Sequence, residues 1–127
     1  MIDFLDLVKQ RGYTIAIASS GLKKNIDLIL QKLNIVEYFD LIVSGEQVIK
    51  GKPEPDIFLT ISEHYHINPN DCIVIEDSKN GVLAAKAAGM YCVGYYNPGS
   101  GKQDLSKADL IINHFNDPRL YDLLSKD

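Results

Sequence analysis

Residues 72–89 read CIVIEDSKNGVLAAKAAG, and this stretch decides the fold. Cys72, Ile73, Val74 and Ile75 form a run too short for a helix and apolar on both faces, the pattern of a strand buried in a parallel sheet. Glu76-Asp77-Ser78 follows at once. An Ala-rich helix then runs over 79–88, with Asp77 or Ser78 able to cap its start and Gly89 suited to end it.

The same alternation continues outward in both directions. Upstream, a helix over 2–10 places Ile2, Leu5 and Val8 on one face and stops at Gly12. Residues 13–18 (YTIAIA) read as a strand, and Ser19-Ser20-Gly21 leads into a helix over 22–33 with apolar positions at Leu22, Ile26, Ile29, Leu30 and Leu33. Residues 40–43 (DLIV) are a second strand, and a helix over 55–65 starts with Pro55 in its first turn. Downstream lie a strand over 91–94, a loop over 97–101 rich in Asn, Pro, Gly and Ser, a strand over 110–112 and a short helix over 119–124. No internal repeat, linker or low-complexity tract interrupts the pattern. Doubly apolar strands alternating with helices predict an α/β, Rossmann-like three-layer sandwich: a mostly parallel sheet with helices on both faces. Ligands of such folds bind beyond the carboxyl ends of the strands.

At 127 residues and 46% apolar composition, the chain is sized for one domain with a genuine core, which excludes disorder as its main state. No apolar run approaches the ~20 residues that span a bilayer, and Met1-Ile2-Asp3-Phe4 lacks the basic start of a signal peptide. A formal net charge of −4, with both signs mixed along the chain, argues against nucleic acid or an anionic membrane as partner. Cys72 and Cys92 are far apart in apolar segments, as expected of buried thiols in a reducing cytoplasm.

Three polar clusters follow strands. Ser19-Ser20-Gly21 meets a helix N-terminus, where free N–H groups and a hydroxyl suit an anion; a simple helix cap is the alternative. Lys52 sits in Gly51-Lys52-Pro53-Glu54-Pro55-Asp56, where two prolines stiffen the loop; its ammonium suits a phosphate or carboxylate, or else is a solvated charge. Glu76-Asp77-Ser78 offers adjacent carboxylates for a hard cation such as Mg²⁺, or caps the helix that follows. His64 and His66 near a helix end read as surface histidines lacking a third ligand, and the tyrosines, Tyr95-Tyr96 included, as packing residues.

In order and spacing these clusters, Ser after one strand, Lys in G-K-P-x-P-D-x-F, then hhhh-E-D-S-x-x-G before an Ala-rich helix, resemble the haloacid dehalogenase superfamily of Mg²⁺-dependent phosphotransferases. Within it the chain looks most like the beta-phosphoglucomutase-like phosphatases and mutases, over residues 2–112. The resemblance implies roles. Ser19 and the Ser20 amide would hydrogen-bond a phosphoryl group, Lys52 would balance its charge, Asp77 would bind Mg²⁺, and Glu76 would bind the ion or its water shell. The ligand implied is a phosphorylated small molecule.

The superfamily's Asp-x-Asp-Gly run, whose first Asp is the nucleophile and whose second is the general acid and base, does not occur in this sequence, nor does the cap domain. Asp3 and Asp6 have the wrong spacing and read as surface residues. The expectation is therefore a single partial core domain over 1–127, lacking the central first-motif strand and inactive alone. Its alternative is a non-catalytic remnant or pseudoenzyme that binds phosphate or a protein partner. The strands on either side of the missing one should present open edges. Among monomeric outcomes direct closure of these edges is favoured; a swapped dimer or complementation by a second chain are the others. Gly21 and Leu22 stand where mutases carry polar residues for a second phosphate, which favours a plain phosphatase; Lys23, Lys24 and Asn25 are the nearest substitutes. A receiver domain fits poorly, because its acidic pair comes early and its Lys last. Metal-free dehalogenases do not account for the acidic pair at positions 76 and 77.

Overall fold

The structure, a computed structural model, describes residues 1–100 and 103–124; Gly101, the end of the predicted loop, lies outside them. All five strands form: β1 Ala16–Ser19, β2 Leu41–Ser44, β3 Ile73–Glu76, β4 Tyr91–Tyr95 and β5 Leu110–Ile112. The helices are α1 Ile2–Gln10, α2 Lys23–Leu33, α3 Asp56–His64, α4 Lys79–Ala87 and α5 Pro118–Leu124. None is long and apolar enough to cross a membrane among the described residues. The first strand starts later than its β-branched run suggests. Tyr13 donates its amide to the Val8 carbonyl at 3.2 Å and so closes the end of α1 instead of joining the ladder. Ser78 caps α4 through a hydrogen bond from the Gly81 amide at 3.0 Å, and Gly89, at φ +79, turns the chain out of that helix as a left-handed glycine should.

Strand neighbours are parallel throughout: β1 with β2, β3 with β4, and β4 with β5. Side chains alternate between two layers as period-2 geometry requires. Ala18, Val43, Val74 and Cys92 meet Ile57 and Phe58 of α3 and Val82, Ala84 and Ala85 of α4. On the opposite face Ile17 and Ile42 meet α2 through Ile26 and Leu30. There too, Ile75 and Val93 pack with Phe4 and Val8 of α1 and Leu120 of α5. Ile57 is 1% exposed, a burial that contributes about 1.5–3 kcal/mol. Cys92 is fully buried, and burial pushes its thiol pKa up to about 12; Cys72 is only half-buried, against expectation, because the chain there is still leaving a short 3₁₀ turn at Pro69–Asp71.

The expected direct closure of β1 on β3 does not occur. The strands form two sheets, β1–β2 and β3–β4–β5, with no ladder between them. The Asp40 amide bonds the Ile15 carbonyl, so the alternation of a parallel ladder turns Ala16 and Ala18 away from β2; the Tyr91 amide bonds the Cys72 carbonyl, so Ile73 and Ile75 turn away from β4. Those residues carry the two open edges. The α3–α4 layer runs beneath both sheets and holds them in one core, so the edges stay apart while the molecule remains a single three-layer unit.

Candidate active site

The carboxyl ends of β1 and β3 open into one cleft of ≈ 840 Å³. Ser19, Ser20, Lys52, Glu76 and Asp77, widely separated in sequence, all line it, with Ser78, Asn80, Asn97, Tyr95 and Phe115 completing the wall. Ser19 is the last residue of β1 and does not cap α2. Its Oγ accepts the Gly21 amide at 3.1 Å, which tightens the turn and leaves the hydroxyl proton free to donate. Leu22 at the start of α2 supplies no side-chain cap. The cap comes from Glu46, whose Oε1 accepts the Lys23 amide at 2.8 Å.

That contact depends on the turn after β2. Fully buried Ser44 accepts the Glu46 amide on its Oγ at 3.3 Å, while Gln47 Oε1 accepts the Ser44 amide at 2.8 Å. Gly45 lies so close to the Ser20 carbonyl that a β-carbon there would sit 2.7 Å from its oxygen. The turn and the serine loop are thus packed backbone against backbone.

Lys52 is not a solvated loop charge: its side chain is 9% exposed. Its Nζ donates to the Ala18 carbonyl at 3.1 Å, on the open edge of β1, and forms a short ion pair with Glu76 Oε2 at the end of β3. The Phe58 ring lies 5.2 Å from the ammonium and adds a cation–π contact. One ammonium therefore ties the two sheets together and keeps one N–H in hand. Glu76 in turn rests over the first turn of α4, against Gly81, where any side chain would overlap its carboxylate.

Asp77 has an exposed carboxylate that makes no hydrogen bond or ion pair among the described residues, unlike its neighbour. This donor set fits a hard cation that keeps most of its water: Asp77 is free to ligate, while Glu76 is committed to Lys52. No group of three or more His, Cys, Asp and Glu side chains gathers among the described residues. His64 and His66 are exposed, as are Asp3 and Asp6, with Asp6 accepting the Tyr38 hydroxyl at 2.6 Å. Tyr95 stacks on Phe115 with ring centroids 4.7 Å apart. Sequence reasoning missed Gly45, Glu46, Gly81 and Gln103; Gly-Glu directly after a strand was the available hint for the first two.

Comparison with known proteins bears on the family and the fold. The family model of haloacid dehalogenase-like hydrolases matches residues 1–95. Beta-phosphoglucomutase of Bacillus subtilis is 40% identical over 110 residues, 87% of this chain and 46% of that protein. Phosphoglycolate phosphatase of Escherichia coli is 33% identical over 118 residues, 91% of this chain and 46% of that protein. The crystal structure of CbbY from Rhodobacter sphaeroides in complex with phosphate superposes with a TM-score of 0.84 at 27% identity, covering 91% of this chain and 53% of that one. The chain spans about half the length of the curated relatives it matches. It belongs to the haloacid dehalogenase-like hydrolases, in their beta-phosphoglucomutase-like branch.

Proposed function

We infer that residues 1–127 form the phosphate-clamping and Mg²⁺-binding side of a phosphoryl-transfer centre acting on a phosphorylated small molecule. The observation that carries this reading is the convergence of Ser19, Lys52 and Asp77 on one cleft. The Ser19 hydroxyl and the Ser20 amide donate to phosphoryl oxygens, and the remaining N–H of Lys52 opposes their charge. Asp77 would hold Mg²⁺ directly, and Glu76, engaged by Lys52, would bind the ion or its water shell. When bound, Mg²⁺ neutralises the charge on the phosphoryl oxygens, which is most of what this chemistry asks of its surroundings.

These residues contain no Asp-x-Asp-Gly run, and Asp3 and Asp6 lie on the exposed side of α1, away from the cleft. The covalent step therefore needs a nucleophile from another polypeptide segment, and the 127 residues alone do not turn over. The open edges at Ala16–Ala18 and Ile73–Ile75 suit a strand of such a segment that brings it. A phosphatase is favoured over a sugar-phosphate mutase. Gly21 and Leu22 offer no side-chain donor after the serine, and Glu46 already fills the first amide of α2 with a negative charge.

The test pairs an assay with a titration. With Mg²⁺ present, the chain should not hydrolyse p-nitrophenyl phosphate, while inorganic phosphate should shift the NMR amide signals of residues 19–21. Mg²⁺-dependent turnover that disappears in Asp77→Ala would refute inactivity. Unmoved spectra up to tens of millimolar, roughly the weakest affinity such a site should show, would refute the binding reading.

A further inference from the structure

We propose that Gln103 is a positioning residue for the acidic side of the cleft: its side-chain amide holds the backbone of Asp77 so that the Asp77 carboxylate faces a bound cation. The proposal rests on the reading of Asp77 as the Mg²⁺ ligand. Three segments meet at this amide. Its Nε2 donates to the Asp77 carbonyl in a short hydrogen bond and to the Tyr95 carbonyl at 3.3 Å. Its Oε1 accepts the Asn97 amide at 2.8 Å. Both Nε2 protons and one Oε1 lone pair are used, which fixes the amide's orientation: a flipped amide would set its oxygen against two carbonyls and its NH₂ against an N–H.

The arrangement matters because no side chain among the described residues restrains the Asp77 carboxylate. It makes no hydrogen bond or ion pair with any of them that would set its direction. On one side Glu76 is fixed by Lys52, and on the other Ser78 is fixed as the cap of α4. Between them the Asp77 peptide is anchored through its carbonyl, and Gln103 is that anchor. The link also joins the β3–α4 turn to Tyr95 at the carboxyl end of β4 and to Asn97 just after it. A partner behind a metal ligand that sets its orientation typically controls affinity tenfold or more.

The test uses the isotope-labelled chain and the variants Gln103→Met, which keeps length and removes every hydrogen bond, and Gln103→Ala. Without metal, the ¹³C′ signals of Asp77 and Tyr95 should move in both variants, while signals of β1 and β2 and the melting temperature stay put; a residue that merely fills space predicts no carbonyl shift in Gln103→Met. With Mg²⁺ alone as titrant, the Kd read from the 76–78 amides should rise about tenfold in Gln103→Met. Unmoved carbonyl signals, or a Kd within about twofold of wild type, overturn the proposal. If the wild-type chain shows no response at 76–78, the Mg²⁺ reading of Asp77 fails and the metal-positioning role with it, while the carbonyl shifts still decide whether Gln103 anchors the turn. If wild type responds and Gln103→Met matches it, the Gln103 proposal fails alone.

Discussion

The two sheets meet at the same cleft but are built differently. The β3–β4–β5 sheet has a buried centre, with Cys92, Val93 and Gly94 of β4 shut off from solvent, and it delivers carboxylates, Glu76 and Asp77, at its edge. The β1–β2 sheet has only two strands, every residue of β1 is half-buried, and it delivers donors, Ser19 and Ser20. A two-stranded unit is marginal by itself. Here it depends on the α3–α4 layer beneath and on Lys52, which answers the acidic edge with a cation. The lesson is that charge complementarity joins the halves: the ammonium proposed to oppose phosphoryl charge also spans the separation between the sheets.

Breaking that bridge is the severest test of the contrast. Lys52→Met leaves the Glu76 carboxylate, 10% exposed, without its counter-charge, so a loss of about 3–5 kcal/mol is expected in urea unfolding. Adding Glu76→Gln should restore part of it, whereas Asp77→Asn alone should stay within about 0.5 kcal/mol of wild type. A Lys52→Met loss no larger than that of Asp77→Asn would mean the sheets do not rely on the bridge. Gly81→Ala pushes on the same pair from the acidic side. The new methyl must displace the Glu76 carboxylate, with an expected loss of about 1–3 kcal/mol and a partly exposed Lys52 ammonium, readable from its reactivity toward acylating reagents.

Glu46→Ala tests the donor side. Loss of the α2 cap should cost about 1 kcal/mol, and the amide signals of residues 20–23 should shift while those of β3–β5 do not. A smaller effect than the cap's is at Asp40. The Lys9 ammonium, and after it the Ile15 amide, hold its carboxyl below the usual carboxylate range. Because the folded value is depressed, the stabilisation is present above the ordinary carboxylate pKa and is lost as pH falls through the lowered one. Asp40→Asn should therefore narrow the difference in unfolding free energy between neutral and acidic pH, by less than about 1 kcal/mol for so exposed a pair.

Elements and clusters were legible in the sequence where their signal is local. The run CIVI, the Ala-rich helix and its glycine stop, and the alternation on either side predict five strands and five helices, and all form. Ser19 and Asp77 were legible because strand ends are where such folds gather polar groups, and Lys52 only through the G-K-P-x-P-D-x-F pattern around it. What was not legible is held by contacts between distant residues. The Glu46 cap on Lys23 and the Gln103 anchor on Asp77 join segments whose own periodicity says nothing of each other. Taken alone, Lys52 read more readily as a solvated charge, because its 9% exposure follows from the placement of β1, β3 and Phe58. The open edges of β1 and β3 were legible from the missing strand; that they do not close on each other was hidden for the same reason, because edge pairing depends on how the α3–α4 layer spaces the strands.

The most direct measurement of the central claim is a crystal structure of the chain grown with Mg²⁺ and a tetrahedral oxyanion such as tungstate. The account predicts the metal about 2.0–2.1 Å from an Asp77 carboxylate oxygen and the oxyanion within hydrogen-bond reach of the Ser19 hydroxyl, the Ser20 amide and the Lys52 ammonium. Metal and oxyanion bound apart from one another, or an oxyanion seated away from Ser19 and Lys52 with the cleft left to water, would contradict it.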